Sequence, residues 1–201
     1  MILALVVLVG VGASIYLRAV KLGGDELPDP AMAHRLANDT VSPSYGPEDA
    51  SVAIVVFTDY QCPACRKAHP AMLAATGRDG NTRIVLRDLP VFGPVSEDAA
   101  RVALATQGQG IYPEVHDAFM REGRQLSANV MREIVTREGG DWPAALAAIE
   151  RGAPSERLNA NRRDAMLLGV TGTPTYVIGH HRYVGALSET QFARAIDRAR
   201  Q

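Results

Sequence analysis

The apolar run Val52-Ala53-Ile54-Val55-Val56-Phe57 is followed five positions later by Cys62-Pro63-Ala64-Cys65, which holds both cysteines of the chain. The run reads as a β-strand, rich in β-branched residues and bounded by turn residues. Pro63 reads as the first residue of a helix, where its missing N–H would have no partner in any case. The chain must therefore turn from strand to helix at the point where it carries its thiols. Two thiols with two residues between them can close into a disulfide, or open into a nucleophile and a resolving thiol. Their placement at a strand-to-helix junction points to thiol–disulfide exchange, which spacing alone would not.

A chain of 201 residues suits one domain plus an appendage, and 47% hydrophobic residues are enough for a sizeable core. Charges of both signs are interspersed and the net charge is −1, which argues against a nucleic-acid surface. Like-charge neighbours such as Arg162-Arg163 read as a solvated helix face.

Ile2 to Leu17 is apolar except for Ser14 and the Tyr16 hydroxyl, and Arg18 and Lys21 follow. A spanning helix needs about 20 apolar residues, a length this stretch reaches if Arg18 snorkels to the interface. There is no basic leading region and no convincing small-x-small cleavage site before the charges. Residues 1–20 are therefore expected to form an uncleaved membrane anchor, with a signal peptide or a misplaced start as the alternatives. The two basic residues after the span favour a cytoplasmic domain by the positive-inside rule. A reactive thiol pair serving a disulfide pathway belongs in an oxidising compartment. The expectation follows the chemistry and puts the domain outside the cytoplasm.

Residues 21–44, rich in Gly, Pro, Asp and Asn, read as a linker with one short helical turn around Ala31–Ala37. The domain is expected over 45–201. A helix from Pro63 to about Ala75, closed by Gly77, leads to Thr82-Arg83-Ile84-Val85-Leu86-Arg87, whose alternation suits a half-buried strand ending at Pro90. From about 95 to 169 the pattern is helical, with starts at Ser96 (read as an N-cap), Pro113, Ser127, Asp141-Trp142-Pro143 and Pro154-Ser155. Thr175–Ile178 and Arg182–Val184 read as a hairpin around Gly179-His180-His181, and a last helix begins after Ser188. The order strand, helix, strand, helical block, hairpin, helix describes a mixed α/β layer fold.

At the mouth of its helix Cys62 meets free N–H groups and the positive end of the helix dipole, which favour a thiolate. Cys65 lies one turn deeper and reads as the shielded, resolving thiol. A passive structural disulfide is disfavoured, because so short a loop gains little stability from closure. A zinc site needs four ligands, and His34, His69, His116, His180 and His181 show no zinc spacing. Two thiolates could still hold Cu(I). His69 reads as a solvent-exposed or packing residue rather than a catalytic one. Gly172-Thr173-Pro174-Thr175 places a proline at the start of a strand, as expected at an edge or a bend.

Phe57-Thr58-Asp59-Tyr60-Gln61-Cys62-Pro63-Ala64-Cys65, preceded by Gly46-Pro47-Glu48-Asp49-Ala50, resembles the opening of DsbA-type thioredoxin-fold thiol:disulfide oxidoreductases. Val170-Thr171-Gly172-Thr173-Pro174-Thr175 is similar to their cis-proline loop, and the helical block sits where theirs does. The resemblance covers about residues 45–200. It implies a thioredoxin fold with a helical insertion between the second strand and the cis-proline loop. It implies Cys62 as the attacking cysteine and Cys65 as the resolving one. Pro174 would be the cis-proline of the substrate groove, and Thr173 would offer backbone hydrogen bonds to an extended peptide. It implies no cofactor, since the dithiol is itself the redox centre. Its partners would be cysteine-containing exported proteins and a membrane protein that resets the pair, all in the periplasm or cell envelope.

The chain departs from the pattern in two places. Ala64 stands where the strongest oxidases carry His, so no imidazole assists the thiolate. The strand before the motif lacks the buried acid that many thioredoxin-fold proteins use as a proton relay, and Asp59 reads as a turn residue or helix-end partner. Thr173 also occurs in members that reduce or isomerise disulfides. The chemistry expected is therefore exchange, most simply in the oxidising direction, with a reductase or isomerase, or a Cu(I)-binding protein on the same fold, as the alternatives.

Overall fold

The computed structural model describes residues 24–201. The expected anchor, residues 1–20, lies outside them. Among the described residues no helix is long and apolar enough to cross a membrane.

A six-stranded sheet organises the chain, in the order β1 (Asp25–Glu26), β6 (His181–Val184), β5 (Thr175–Ile178), β3 (Val52–Thr58), β4 (Thr82–Asp88), β2 (Ser44–Tyr45). β3 and β4 are parallel, with Ile54 opposite Ile84 and Thr58 opposite Asp88. All other pairings are antiparallel. Alternate residues of β3 feed two cores. Ile54 and Val56 face one side with Ile84, Leu86, Met72, Phe119 and Phe192. Val55 and Phe57 face the other with Val85, Val177, Leu27, Met32 and Leu36. Burial on both faces is why β3 reads as a continuous apolar run, and each such side chain contributes about 1.5–3 kcal/mol.

The β3–β4 crossover is α2 (Pro63–Asp79), which packs with the C-terminal helix α8 (Glu189–Ala199) on the first face. α2 runs past Gly77, the expected terminator. It ends at Gly80, whose φ of +70° is open to glycine at no steric cost. Five helices then separate β4 from β5: α3 (Pro94–Ala105), α4 (Tyr112–Arg121), α5 (Ala128–Arg137), α6 (Trp142–Glu150) and α7 (Ala153–Leu167). The thioredoxin fold and the position of its helical insertion are as the sequence suggests. Ser96 does not cap α3, because the helix begins earlier, at Pro94 after Gly93, and the Ser96 hydroxyl is engaged elsewhere.

The stretch read as linker differs most. Asp25–Glu26 extend the sheet at β6, and Ser44–Tyr45 extend it at β4. Between them α1 (Pro30–Ala37) starts at an Asp29 cap and buries Met32, Ala33 and Leu36 against the second face. Gly46, at φ +88°, then passes so close to β4 that a Cβ would lie 2.7 Å from the Thr82 carbonyl oxygen. The packed unit thus begins near Asp25. Leu27, Met32, Ala33 and Leu36 supply its buried apolar face, and Asp29 and Pro30 serve as helix cap and start.

β4 is also more buried than its alternation suggests. Arg87, read as a polar-face residue, is 1% exposed. It pairs with Asp39 at 2.7 Å and Asp164 at 3.0 Å and reaches Asn161, joining β4 to the α1–β2 connection and to α7.

Candidate active site

β3 ends at Thr58, and Asp59-Tyr60-Gln61 turn the chain into α2 with Cys62 as N-cap. The Cys62 N–H donates to the Asp59 carbonyl at 3.2 Å, closing the turn, and Pro63 opens the helix. The Cys65 N–H donates to Cys62 Sγ at 3.3 Å. Both cysteines are free thiols and both are buried. Burial, followed by its hydrogen bond with Cys62, pushes the Cys65 thiol up to about 12. Cys62 caps the helix and Cys65 lies one turn in, yet the two are about equally buried, at 2% and 3% exposed, so Cys65 is not the more shielded of the pair.

The other wall of the site comes from more than 100 residues away. The Cys62 thiol donates to the Thr173 carbonyl at 3.2 Å, across a sequence separation of 111. The Thr173–Pro174 peptide is cis. The Pro174 carbonyl accepts from Gly185 N at 2.9 Å, and Thr175 Oγ1 donates to the Gly172 carbonyl at 2.7 Å, so the loop is tied to β6 and to itself. Cys62, Pro63, Cys65, Thr173 and Pro174 thus meet at one end of the sheet. Tyr176 lies behind them, its phenol pushed far up by burial and by the two neighbouring thiols. Exposed Val91 and Phe92 follow β4 at the same end, and exposed Val184 stands opposite Thr175.

A buried polar chain lies deeper in the same core, and the sequence did not announce it. Asp88 Oδ2 accepts from the Tyr112 hydroxyl at 2.8 Å, and Tyr60 and His116 Nδ1 share a hydrogen bond of 2.8 Å. Burial, against the hydrogen bonds from Tyr112 and Tyr60, raises the Asp88 carboxyl to about 7. Burial also holds His116 neutral, well below its ordinary range. His69 is buried rather than exposed, with Nε2 2.9 Å from Asp117 Oδ1, and burial outweighs that carboxylate in lowering it. So the strand before the motif lacks a buried acid, as read, while the neighbouring strand supplies one at Asp88. The available signal was register, since a β4 extended by one residue sets Asp88 beside Thr58. Among the described residues no cluster of three His, Cys, Asp or Glu side chains could hold a metal ion.

The sequence pattern of the family described as "DSBA-like thioredoxin domain" matches residues 53–197. The chain is similar to a thioredoxin-like oxidoreductase from Silicibacter pomeroyi, with 32% identity, a TM-score of 0.79, and 82% of this chain and 95% of that one covered. It is also similar to the thiol-disulfide exchange protein alpha-DsbA2 from Wolbachia pipientis, with 28% identity, a TM-score of 0.77, and 84% and 92% covered. Among curated proteins it matches the Na(+)/H(+) antiporter NhaA 1 of Salinispora arenicola, 28% identical over 77% of this chain. The chain spans about a quarter of the length of that relative, 24%.

Proposed function

The chain belongs to the DSBA-like thioredoxin domain family of thiol:disulfide oxidoreductases, and from that premise we propose that it introduces disulfides into exported proteins through the Cys62–Cys65 pair. The observation that carries this reading is the position of Cys62 Sγ, between the Cys65 N–H at 3.3 Å and the Thr173 carbonyl at 3.2 Å. It is a sulfur at a helix N-terminus facing a loop able to present a peptide.

In the oxidising direction a substrate thiolate attacks Cys62 Sγ of the Cys62–Cys65 disulfide. The S–S bond breaks and Cys65 leaves as a thiolate, which takes up a proton, as its raised pKa favours. A second substrate thiolate then attacks the substrate sulfur of the mixed disulfide and releases Cys62. Two substrate thiols have lost two electrons and two protons, and the pair has gained them. A membrane redox partner takes the electrons back. Thr173 and Pro174 form the groove wall, where the Thr173 backbone pairs with the extended substrate. Pro63 supports the helix start. The dithiol serves as the redox centre without a bound cofactor. We place the domain in the periplasm or cell envelope, tethered by residues 1–20.

The direction rests on the reduction potential of the pair, measured against a glutathione series. A value near about −120 mV supports the oxidase, and one near about −270 mV makes the chain a reductase. Tight one-to-one Cu(I) binding by the reduced protein, without thiol-oxidising or disulfide-reducing activity, would overturn exchange altogether.

A further inference from the structure

Asp59 is 2% exposed and forms no ion pair among the described residues. Its carboxylate is held instead by four donors. Oδ1 accepts from the Gln61 N–H at 2.7 Å and the Ser96 hydroxyl at 2.7 Å. Oδ2 accepts from the Val91 N–H at 2.6 Å and the Phe92 N–H at 3.1 Å. The Asp59 backbone carbonyl meanwhile accepts from the Cys62 N–H. A carboxylate offers about four lone-pair sites, so none is left for a thiol proton. Asp59 is therefore built to hold structure and has no room to relay protons.

What it holds is specific. Asp59 joins the turn before Cys62, the loop after β4 and the first turn of α3. Val91 and Phe92 are 52% and 53% exposed and belong to neither buried core. Leu89, buried in the second core with its N–H on the Thr58 carbonyl at 2.8 Å, anchors the start of the loop, and at Val91 and Phe92 the backbone N–H groups on Asp59 hold it rather than their side chains. Gly93, at φ +91°, and Pro94 bound the loop on its far side. Beyond Leu89, the backbone under two exposed apolar side chains is tied to the cysteine turn by one buried carboxylate.

We propose that Asp59 is a positioning residue for substrate selection: it fixes Val91 and Phe92 as an apolar lip beside Cys62, so that cysteines flanked by an apolar side chain exchange fastest. The inference rests on the exchange reading above. Loss of a single apolar contact in a site is worth about tenfold or more in rate, and the lip supplies that contact only while its distance from the sulfur is held. Asp59 acts through the loop and touches no substrate.

The test uses the oxidised protein with three reductants: glutathione, a cysteine peptide flanked by Leu, and the same peptide flanked by Ser. The parent should prefer the Leu peptide over the Ser peptide by about tenfold. Asp59→Ala and Asp59→Asn should erase that preference through a higher KM for the Leu peptide, while the glutathione rate falls by no more than about threefold. Asn is informative because its NH2 faces donors and loses at least one oxygen's bonds. Phe92→Ser should erase the preference equally, and combining it with Asp59→Ala should add no further loss, as expected of coupled residues. Should Asp59→Ala fail to fold, Asp59→Asn and Ser96→Ala, which removes one of the four bonds, give the answer. The proposal is overturned if the parent shows no preference, if Phe92→Ser keeps it, or if the Asp59 variants slow all three reductants equally. Failure of the exchange reading looks different: the parent then reacts with none of the three.

Discussion

Asp88 shows how burial rather than sequence sets the behaviour of a single residue. Its Oδ1 has no hydrogen-bond partner among the described residues, and burial is the largest influence raising its carboxyl from the ordinary 3.8 to about 7. Between those values the folded protein binds a proton that the unfolded chain releases. Stability contributed by the neutral acid is therefore complete below about 3.8 and is lost as pH rises through about 7. Asp88→Asn removes this titration while keeping an oxygen for the Tyr112 hydroxyl. Relative to the variant, the parent should lose stability as pH rises across that window, with a slope of up to about 1.4 kcal/mol per pH unit. The buried histidines titrate with the opposite sign, but they are common to both proteins and cancel in the difference. Urea unfolding of parent and variant from pH 4 to 8 measures it, and a flat difference would remove Asp88 from the account.

The instructive element is α1. Met32 and Leu36 are buried against Phe57, Val85 and Val177, and the α1–β2 connection brings Asp39 to the buried Arg87. A linker would tolerate truncation there, and a packed helix would not. Met32→Ala and Leu36→Ala should each cost about 2–5 kcal/mol, the range for apolar side chains removed from a core. A urea midpoint corresponding to less than about 0.5 kcal/mol, as for surface substitutions, would restore the linker reading. β4 departs from its half-buried pattern for a related reason. Alternation marks a half-buried strand only when the polar side meets water, and here Asp39, Asn161 and Asp164 replace water around Arg87.

At the scale of the whole molecule, the redox state of two sulfurs and the stability of the fold are one linked equilibrium. If the pair is an oxidant, its reduced form must be the more stable fold, because the energy that drives disulfide transfer is the energy by which reduction stabilises the protein. The reduced chain should then unfold at higher urea than the oxidised chain, by about 1.4 kcal/mol for each ~30 mV its potential lies above that of the same pair in the unfolded chain. Equal midpoints, or a more stable oxidised form, would point to the reductase.

The thiol pair, the helix that Pro63 starts, the order of strands and helices from β3 onward, and the helix starts at Ser127, Asp141 and Ser188 were all readable from the sequence. Each depends on neighbours within a turn or two of the chain, where backbone geometry and hydrophobic period dominate. Ser188 caps its helix, and Ser127 and Asp141, read as helix starts, prove to be caps as well. Tertiary structure decided the rest. Ser96 left its expected cap to serve a carboxylate 37 positions away, and Asp59 gathered the loop at Val91 and Phe92 from across β4. Cys62 met Thr173 only because β3 and β5 pair side by side. Hydrogen bonds and burial between distant segments leave no periodic trace in a sequence, since any polar or charged side chain can join them once the fold brings a partner within reach.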